Sequence, residues 1–590
     1  MLDKRDFSQS VIRVRIWYGG LLLVLVIFGV RLFYIQVIQH GRYEAAALSD
    51  QLKQYQIPAT RGLIEAHDGN NILPVVLNQE LYTLYADPPL LKQPDQAAAK
   101  IASIIGGSAS QYASLMSTKN TQYVVLAKKL TVQQQTKIVS YKIPGIGIQG
   151  LDYRTYPDGS LASQVMGFVN NDGQGNYGIE QSLNKQLAGT PGELKAITDT
   201  NGVPLAATKG NIQRPPVNGK NIVLTLDLSM QAQMEKILKQ DYQNTKSQGL
   251  SAVIIDPNNG QVKAMANYPT YDPSNYQSVS DQSLFENAAV TNAIEPGSTM
   301  KVMTTAAALD QGVIQPDTSF YDPAHWIVDG FNITDIEQDG GPRQQNISSI
   351  LNLSLNTGAT WMLMQMGGGQ VNTKARTAWY NYLTNKFRLG KPTGIQQGYE
   401  SVASVIPPQD NGAGIDLTYA ETSFGQAIQM TALQMAVIDS SILNGGTYYQ
   451  PSLIDATIGA NGKMTKLAPK VLEKNVVSSK VSQEMLPLME NVVQQHLTAG
   501  FSYLNFSPNY IVGGKTGTAQ IAEKSGGYSS SNYNGTYIGF VGGDKVQYVI
   551  VVYNMNPKVS GYAGSYGGQP VFADLAHMLI NDSYVSPKTQ

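Results

Sequence analysis

Between residues 16 and 30 the chain reads IWYGGLLLVLVIFGV, with no charged side chain; Arg31 interrupts, and LFYIQVI carries the apolar run on to residue 38. A helix needs about 20 such residues to cross a hydrocarbon core, and Arg31 stands near enough to one end to reach the headgroups. A cleaved signal peptide would have a shorter apolar region followed closely by a small-residue cleavage site, and a buried soluble helix is seldom this long. Lys4, Arg5, Arg13 and Arg15 precede the run, so the positive-inside rule puts the N-terminus in the cytoplasm. The expectation is a cytoplasmic tail over residues 1–16, a single-pass anchor over 17–38, and everything later outside the membrane.

The remaining 550 or so residues exceed what one core accommodates, so two or more soluble domains are expected. The chain is 42% hydrophobic and 14% charged, with a formal net charge of -1. That balance, without a basic stripe among aromatics, argues against a nucleic-acid partner. There are no cysteines, which excludes disulfides, thiol nucleophiles and thiolate metal sites. The five histidines are scattered, with no HExxH and no pair at helical spacing, so neither a metal nor a cofactor is expected.

Residues 39–217 mix short alternating runs with turn signals such as HDGN, NNDGQGN and AGTPGE, which reads as an irregular α+β module with a helix near AAAKIASIIG. RPPVNGKN, at residues 214–221, is Pro-Pro and Asn-Gly punctuation, so a second domain is expected over 218–590. Its early part reads as strand, amphipathic helix and a hairpin about DPNNG. Its late part, GTYIGFVGGDKVQYVIVVYNMN, repeats the hairpin before a closing helix, PVFADLAHMLI. Early and late strands with helices between them predict an α/β domain with one sheet joining both ends. EKSGGYSSSNYNG, just before the late hairpin, reads as a mobile loop.

Three stretches carry chemistry. In EPGSTMKVMTTAAALDQG, residues 299–309 are apolar or small on every helical face except for Lys301. A buried ammonium is costly, and apolar surroundings push a lysine towards the neutral amine. Pro296 and Gly297 punctuate the helix start, so Ser298 and Lys301, at i and i+3, share a face: a hydroxyl nucleophile beside a base. SxxK alone recurs roughly twice by chance in a chain of this length. In SLNTG, Ser354 and Asn356 interrupt two apolar runs and can point together into a cleft. In YIVGGKTGTAQI, Lys515, Thr516, Gly517 and Thr518 lie in a strand-like context whose glycines let an extended peptide add by β-pairing. A nucleotide P-loop is excluded there, because its first glycine would fall on Asn509.

SxxK, SxN and KTG in this order are the set shared by penicillin-binding proteins and serine β-lactamases. With RGLIEAHDGN, YPDGSLASQVMGFVNNDGQGNYGIEQSLNKQLAGTPG and TSFGQAIQMTALQMA, the chain resembles a class B penicillin-binding protein, a peptidoglycan D,D-transpeptidase, nearly end to end. The septal, cell-division type is the nearest in pattern, chiefly through Asn356 where elongation-type relatives often carry Asp.

The resemblance implies a serine β-lactamase-like transpeptidase domain, an antiparallel sheet flanked by helices, on a non-catalytic pedestal or dimerisation-like module. It implies that Ser298 attacks the penultimate D-Ala carbonyl with Lys301 as base. Asn356 would hold Lys301 and the substrate amide, and Ser354 with Lys515 would pass a proton to the departing D-Ala. Thr516 and Thr518, with Gly517 between them, would line the site for the terminal carboxylate, and the N–H groups of Ser298 and Thr518 would form an oxyanion hole. Stem peptides as substrates, β-lactams as covalent inhibitors, and a membrane-embedded glycan polymerase and division proteins as partners are implied in the same way. Alternatives on the same motifs are an elongation-type transpeptidase and a D,D-carboxypeptidase or β-lactamase, in which water resolves the acyl-enzyme. A β-lactam-sensing receptor should carry further spans, and complete motifs argue against a silent scaffold.

Overall fold

The computed structural model describes residues 4–43, 52–197, 212–335, 342–409, 412, 414–523 and 527–589. The chain divides into two compact units, residues 1–60 with 189–218, and residues 61–188 with 219–590.

In the first unit a helix runs from Lys4 to Phe33 and passes directly into a π-helical turn, Tyr34–Ile38. Its apolar part, Ile12–Ile38, is 27 residues long and none of it is buried. At about 1.5 Å per residue that exceeds the roughly 30 Å of a hydrocarbon core. Trp17 and Phe28 are 80% and 62% exposed, surface that water would penalise and lipid would not. Among the described residues this is the one helix long and apolar enough to cross a membrane, as in a single-pass membrane protein. The unit also holds a three-stranded antiparallel sheet, with Gly192–Ile197 between Leu52–Ile57 and Ile212–Arg214.

The second unit contains two large sheets. In the first, Asn221–Asp227 pairs in parallel with Ile64–Asp68 and antiparallel with Ile454–Ile458. Segments on both sides of the RPPVNGKN punctuation thus share one sheet, which continues through Asn71–Ala86 to Val124–Leu130, with Ile146–Thr155 also on Asn71–Ala86. The close approach needs a residue without Cβ at Gly62, where a Cβ would fall 1.9 Å from Lys220 O. AAAKIASII does form a helix, Pro94–Ile105, burying Ala97, Ala98 and Ile101. In the same unit, the fully buried Glu180 accepts from Arg61 Nε at 2.8 Å and from Arg154 Nε at 2.6 Å.

The second sheet is antiparallel and five-stranded: β1 (Gly249–Ile255), β2 (Val262–Tyr268), β3 (Ile511–Ala522), β4 (Tyr528–Gly542) and β5 (Val546–Met555), in spatial order β2-β1-β5-β4-β3. It joins the two ends of the domain, as the hairpin patterns predict. Leu250, Ala252 and Ile254 pack with helices α1 (Leu228–Thr245) and α6 (Gln569–Asn581) on one face. Val253 and Ile255 join the larger core on the other, which holds α2 (Met300–Asp310), α3 (Asn356–Met366), α4 (Ala432–Leu443) and α5 (Ser479–Thr498). A strand buried on both faces alternates between two cores at period two.

The Gly/Ser/Asn/Tyr-rich stretch departs from its sequence reading. From Tyr528 onward it is strand, the first half of β4, with Gln520 opposite Tyr533 and Ala522 opposite Tyr528. The ladder with β3 runs on past the KTG motif, and tyrosines suit a pleated, half-buried surface; residues 524–526 lie outside the described set.

Candidate active site

Helix α2 is preceded by a single 3-10 turn, Gly297–Thr299, so Ser298 sits at the mouth of the helix and Lys301 one turn inside it. Every residue from Met300 to Leu309 is buried, Lys301 at 0% exposure, and Ser298 is half-buried. The turn packs on β3: a Cβ at Gly297, whose φ is +61°, would come within 2.7 Å of Thr518 O and 3.0 Å of Thr518 N. Only glycine tolerates both the left-handed backbone and that approach. Pro296 O accepts from Thr299 Oγ1 at 2.8 Å and from Thr536 Oγ1, on β4, at 2.7 Å, which fixes the turn to the sheet.

The burial cost of Lys301 is met by oxygen atoms. Its Nζ lies 2.9 Å from Ser298 Oγ, 2.5 Å from Ser354 O, 2.8 Å from Asn356 Oδ1 and 3.3 Å from Ser354 Oγ. The carbonyl of Ser354 and the amide oxygen of Asn356 can only accept. A neutral amine satisfies both with its two protons and leaves its lone pair for the Ser298 hydroxyl. Asn356 Nδ2 donates to Thr334 O at 3.2 Å, which orients the amide with its oxygen towards the lysine. Ser354 makes the corner between the helix Ile347–Asn352 and α3 in a left-handed conformation, φ +60°, the kind of backbone strain that persists where surrounding structure enforces it.

Lys515, 1% exposed on β3, brings a second cation to the same place: its Nζ is 3.0 Å from Ser354 Oγ and 3.1 Å from Thr516 O. Lys301 Nζ and Lys515 Nζ thus both reach Ser354 Oγ. His496, on α5, is pushed down to about 4 by burial and then by Lys515, against a hydrogen bond with Gln569, and is uncharged at neutral pH. Thr516 Oγ1 is 3.4 Å from Lys515 Nζ, and Thr518 Oγ1 accepts from Gly564 N at 2.9 Å. A Cβ at Gly517 would strike Thr536 Oγ1 at 2.2 Å and Pro296 O at 2.4 Å. The sheet runs to its edge here, since among the described residues β3 has a partner on one side only.

Ser298, Lys301, Ser354, Asn356 and Lys515, drawn from three separate stretches, therefore form one connected cluster, with Thr516, Gly517 and Thr518 along the strand beside it. Two carboxyls next to it were not singled out from sequence. Glu295 accepts from Ala427 N and Tyr528 OH, both at 2.9 Å, and burial pushes its carboxyl up. Its position three residues before the serine was the available signal. Asp335 accepts from the N–H groups of Asn356 and Thr357 at 2.5 and 3.0 Å; it lies 21 residues ahead of Asn356 with no motif to mark it.

A helix-borne serine–lysine pair, an SxN corner and a KTG edge strand on a five-stranded antiparallel sheet define a penicillin-binding transpeptidase domain. Residues 250–577 match the penicillin binding protein transpeptidase domain, and residues 56–224 match the penicillin-binding protein dimerisation domain. The chain belongs to the class B penicillin-binding proteins. It is 28% identical to stage V sporulation protein D of Bacillus subtilis, over 98% of this chain and 88% of that protein. It is 26% identical to the peptidoglycan D,D-transpeptidase FtsI of Escherichia coli, over 96% and 91%. The crystal structure of penicillin binding protein 3 from Mycobacterium tuberculosis in complex with aztreonam is similar at a TM-score of 0.67 and 25% identity, over 91% of this chain and 98% of that one.

Proposed function

We propose that this chain is a septal peptidoglycan D,D-transpeptidase working through a Ser298 acyl-enzyme, and that the approach of Lys301 Nζ to Ser298 Oγ at 2.9 Å is the observation that carries the reading. Lys301 takes the hydroxyl proton as Oγ attacks the penultimate D-Ala carbonyl of a stem peptide. The oxyanion is held by the N–H groups of Ser298 and Thr518. The C–N bond to the terminal D-Ala then breaks, and a proton passed through Ser354 and Lys515 leaves with that D-Ala as its amine. Asn356 holds Lys301 and the donor amide, and Thr516 and Thr518 bind the terminal carboxylate. The amine of a second stem peptide resolves the ester and forms the cross-link. β-Lactams acylate Ser298 by the same attack, and their ring-opened form keeps its leaving group tethered.

The cations at Lys4, Arg5, Arg13 and Arg15 ahead of the span favour a cytoplasmic N-terminus and a catalytic unit outside. The anchor would hold the enzyme beside a membrane-embedded glycan polymerase and division proteins. The domain limits that accompany this reading are 1–16, 17–38, 39–217 and 218–590.

The experiment supplies a D-Ala-terminated thioester donor together with an amine acceptor and separates aminolysis from hydrolysis. Aminolysis as the main route, together with a penicillin adduct that persists for hours by intact mass, is the expected result. Dominant hydrolysis with rapid release of ring-opened drug would assign the chain to the carboxypeptidase or β-lactamase reading instead.

A further inference from the structure

Helix α3 begins at Asn356, and no side chain at its own N-cap, Leu355, accepts a bond from it. The first N–H groups of a helix need acceptors, and a carboxylate there also meets the positive end of the helix dipole. Asp335 supplies one from a distance. Its Oδ1 accepts from Asn356 N at 2.5 Å and from Thr357 N at 3.0 Å. The preceding residue, Thr334, gives its carbonyl to Asn356 Nδ2. The end of the short hairpin His325–Val328 and Phe331–Thr334 therefore grips Asn356 by main chain and side chain at once, and Asn356 Oδ1 is one of the atoms on Lys301 Nζ.

Asp335 belongs to a wider group. Thr357 Oγ1 lies 2.8 Å from Asp322 Oδ2 and also meets Asp335 Oδ2. One hydroxyl carries one proton, so it donates to one of the two carboxyls at a time. Burial and Asp322 push the Asp335 carboxyl up, while the bonds from Thr357 and the Lys301 charge pull it down, with burial prevailing. Among the described residues, Asp322 and Lys301 act on it, and Lys515 faces Lys301 across Ser354 Oγ.

We propose that Asp335 is a positioning residue of the acylation step: its carboxylate caps α3, sets the Asn356 carboxamide on Lys301, and by its negative charge raises the pH at which Lys301 gives up its proton. The proposal rests on the serine–lysine reading above and deepens it.

The test uses the full-length protein in detergent and measures fluorescent-penicillin acylation against pH for the wild type, Asp335→Asn and Asp335→Ala, with melting temperatures and adduct mapping alongside. Asp335→Asn keeps an acceptor for the helix but removes the charge. Its acid limb should move to lower pH by about one unit, since an ammonium without its counter-charge loses its proton more easily. Asp335→Ala should slow the acylation step by about ten- to a hundredfold through loss of alignment, with non-covalent penicillin affinity little changed. If Asp335→Ala does not fold, the Asp335→Asn profile decides alone. An acid limb in Asp335→Asn that superimposes on the wild type would overturn the proposal, as would a folded Asp335→Ala that acylates at the wild-type rate. Absence of a Ser298 adduct in the wild type would instead be a failure of the parent reading.

Discussion

Lys301 and Asp439 are both at 0% exposure in the core of the same unit, and they are buried on opposite terms. Lys301, on α2, meets a serine hydroxyl, a backbone carbonyl and a carboxamide oxygen. Asp439, in the middle of the entirely buried α4, has no hydrogen-bond partner for either carboxyl oxygen among the described residues, and burial alone pushes it up to about 8. The one is surrounded by groups that define its protonation and its direction; the other is tolerated by staying neutral. Burial of an ionisable group is thus not in itself a functional signal. Convergent partners are.

The comparison is sharpened by a third buried group whose role is structural. Glu180 is fully buried between Arg61 and Arg154. Glu180→Ala leaves two guanidinium groups facing one another without a counter-charge, and denaturant titration should show a loss of about 3–5 kcal/mol. A loss below about 1 kcal/mol would mean that water relieves the arginines and that the site is less dry than it looks.

Asp439 should respond in the other direction. Its folded pKa lies above the unfolded value of about 4, so between pH ~4 and ~8 the unfolded chain releases a proton that the folded one keeps. This residue therefore makes stability fall as pH rises through that window, and its penalty is absent below it. Asp439→Asn should flatten the slope and stabilise the protein at pH 7 by on the order of 3 kcal/mol. A variant with an unchanged pH–stability curve would show that Asp439 has a partner after all.

Lys301→Arg keeps a cation but cannot readily surrender its proton, and its fork does not fit the acceptors of a single Nζ. The penicillin acylation rate should fall at least about a hundredfold, the lower end for lost general-base catalysis, or about 2.7 kcal/mol in the barrier. Near-normal acylation by a folded variant would place Lys301 with Glu180 as a structural charge. At the far end of the scale stands Lys480, 71% exposed, which pairs with Glu484 at 3.4 Å one turn along α5. Lys480→Ala should change stability by no more than about 0.5 kcal/mol.

What the sequence made legible follows the same division. Ser298 and Lys301 were legible because a helix puts i and i+3 on one face, and the SxN and KTG stretches because glycine, asparagine and serine interrupt otherwise apolar runs. The two hairpins of the five-stranded sheet could be read from alternation about DPNNG and GGDK. Long-range partners could not. Asp335 reaches α3 across 21 residues and Glu180 reaches Arg61 across 119, and no local pattern encodes either. The pairing of Ile64–Asp68 with Asn221–Asp227 was hidden for the same reason, since a Pro-Pro punctuation marks a break in the chain and not in the sheet. The first half of β4 was misread because its Ser, Asn and Gly residues are loop formers in isolation, while the backbone ladder with β3 overrides that propensity.

The central claim is that Ser298 is the nucleophile and that its reactivity comes from the neighbouring lysine. Reaction of the full-length protein with a labelled penicillin, followed by proteolysis and mass mapping, tests it most directly. The account expects a single adduct on the peptide containing Ser298, absent from Ser298→Ala. An adduct on another residue, or one retained in Ser298→Ala, would contradict it.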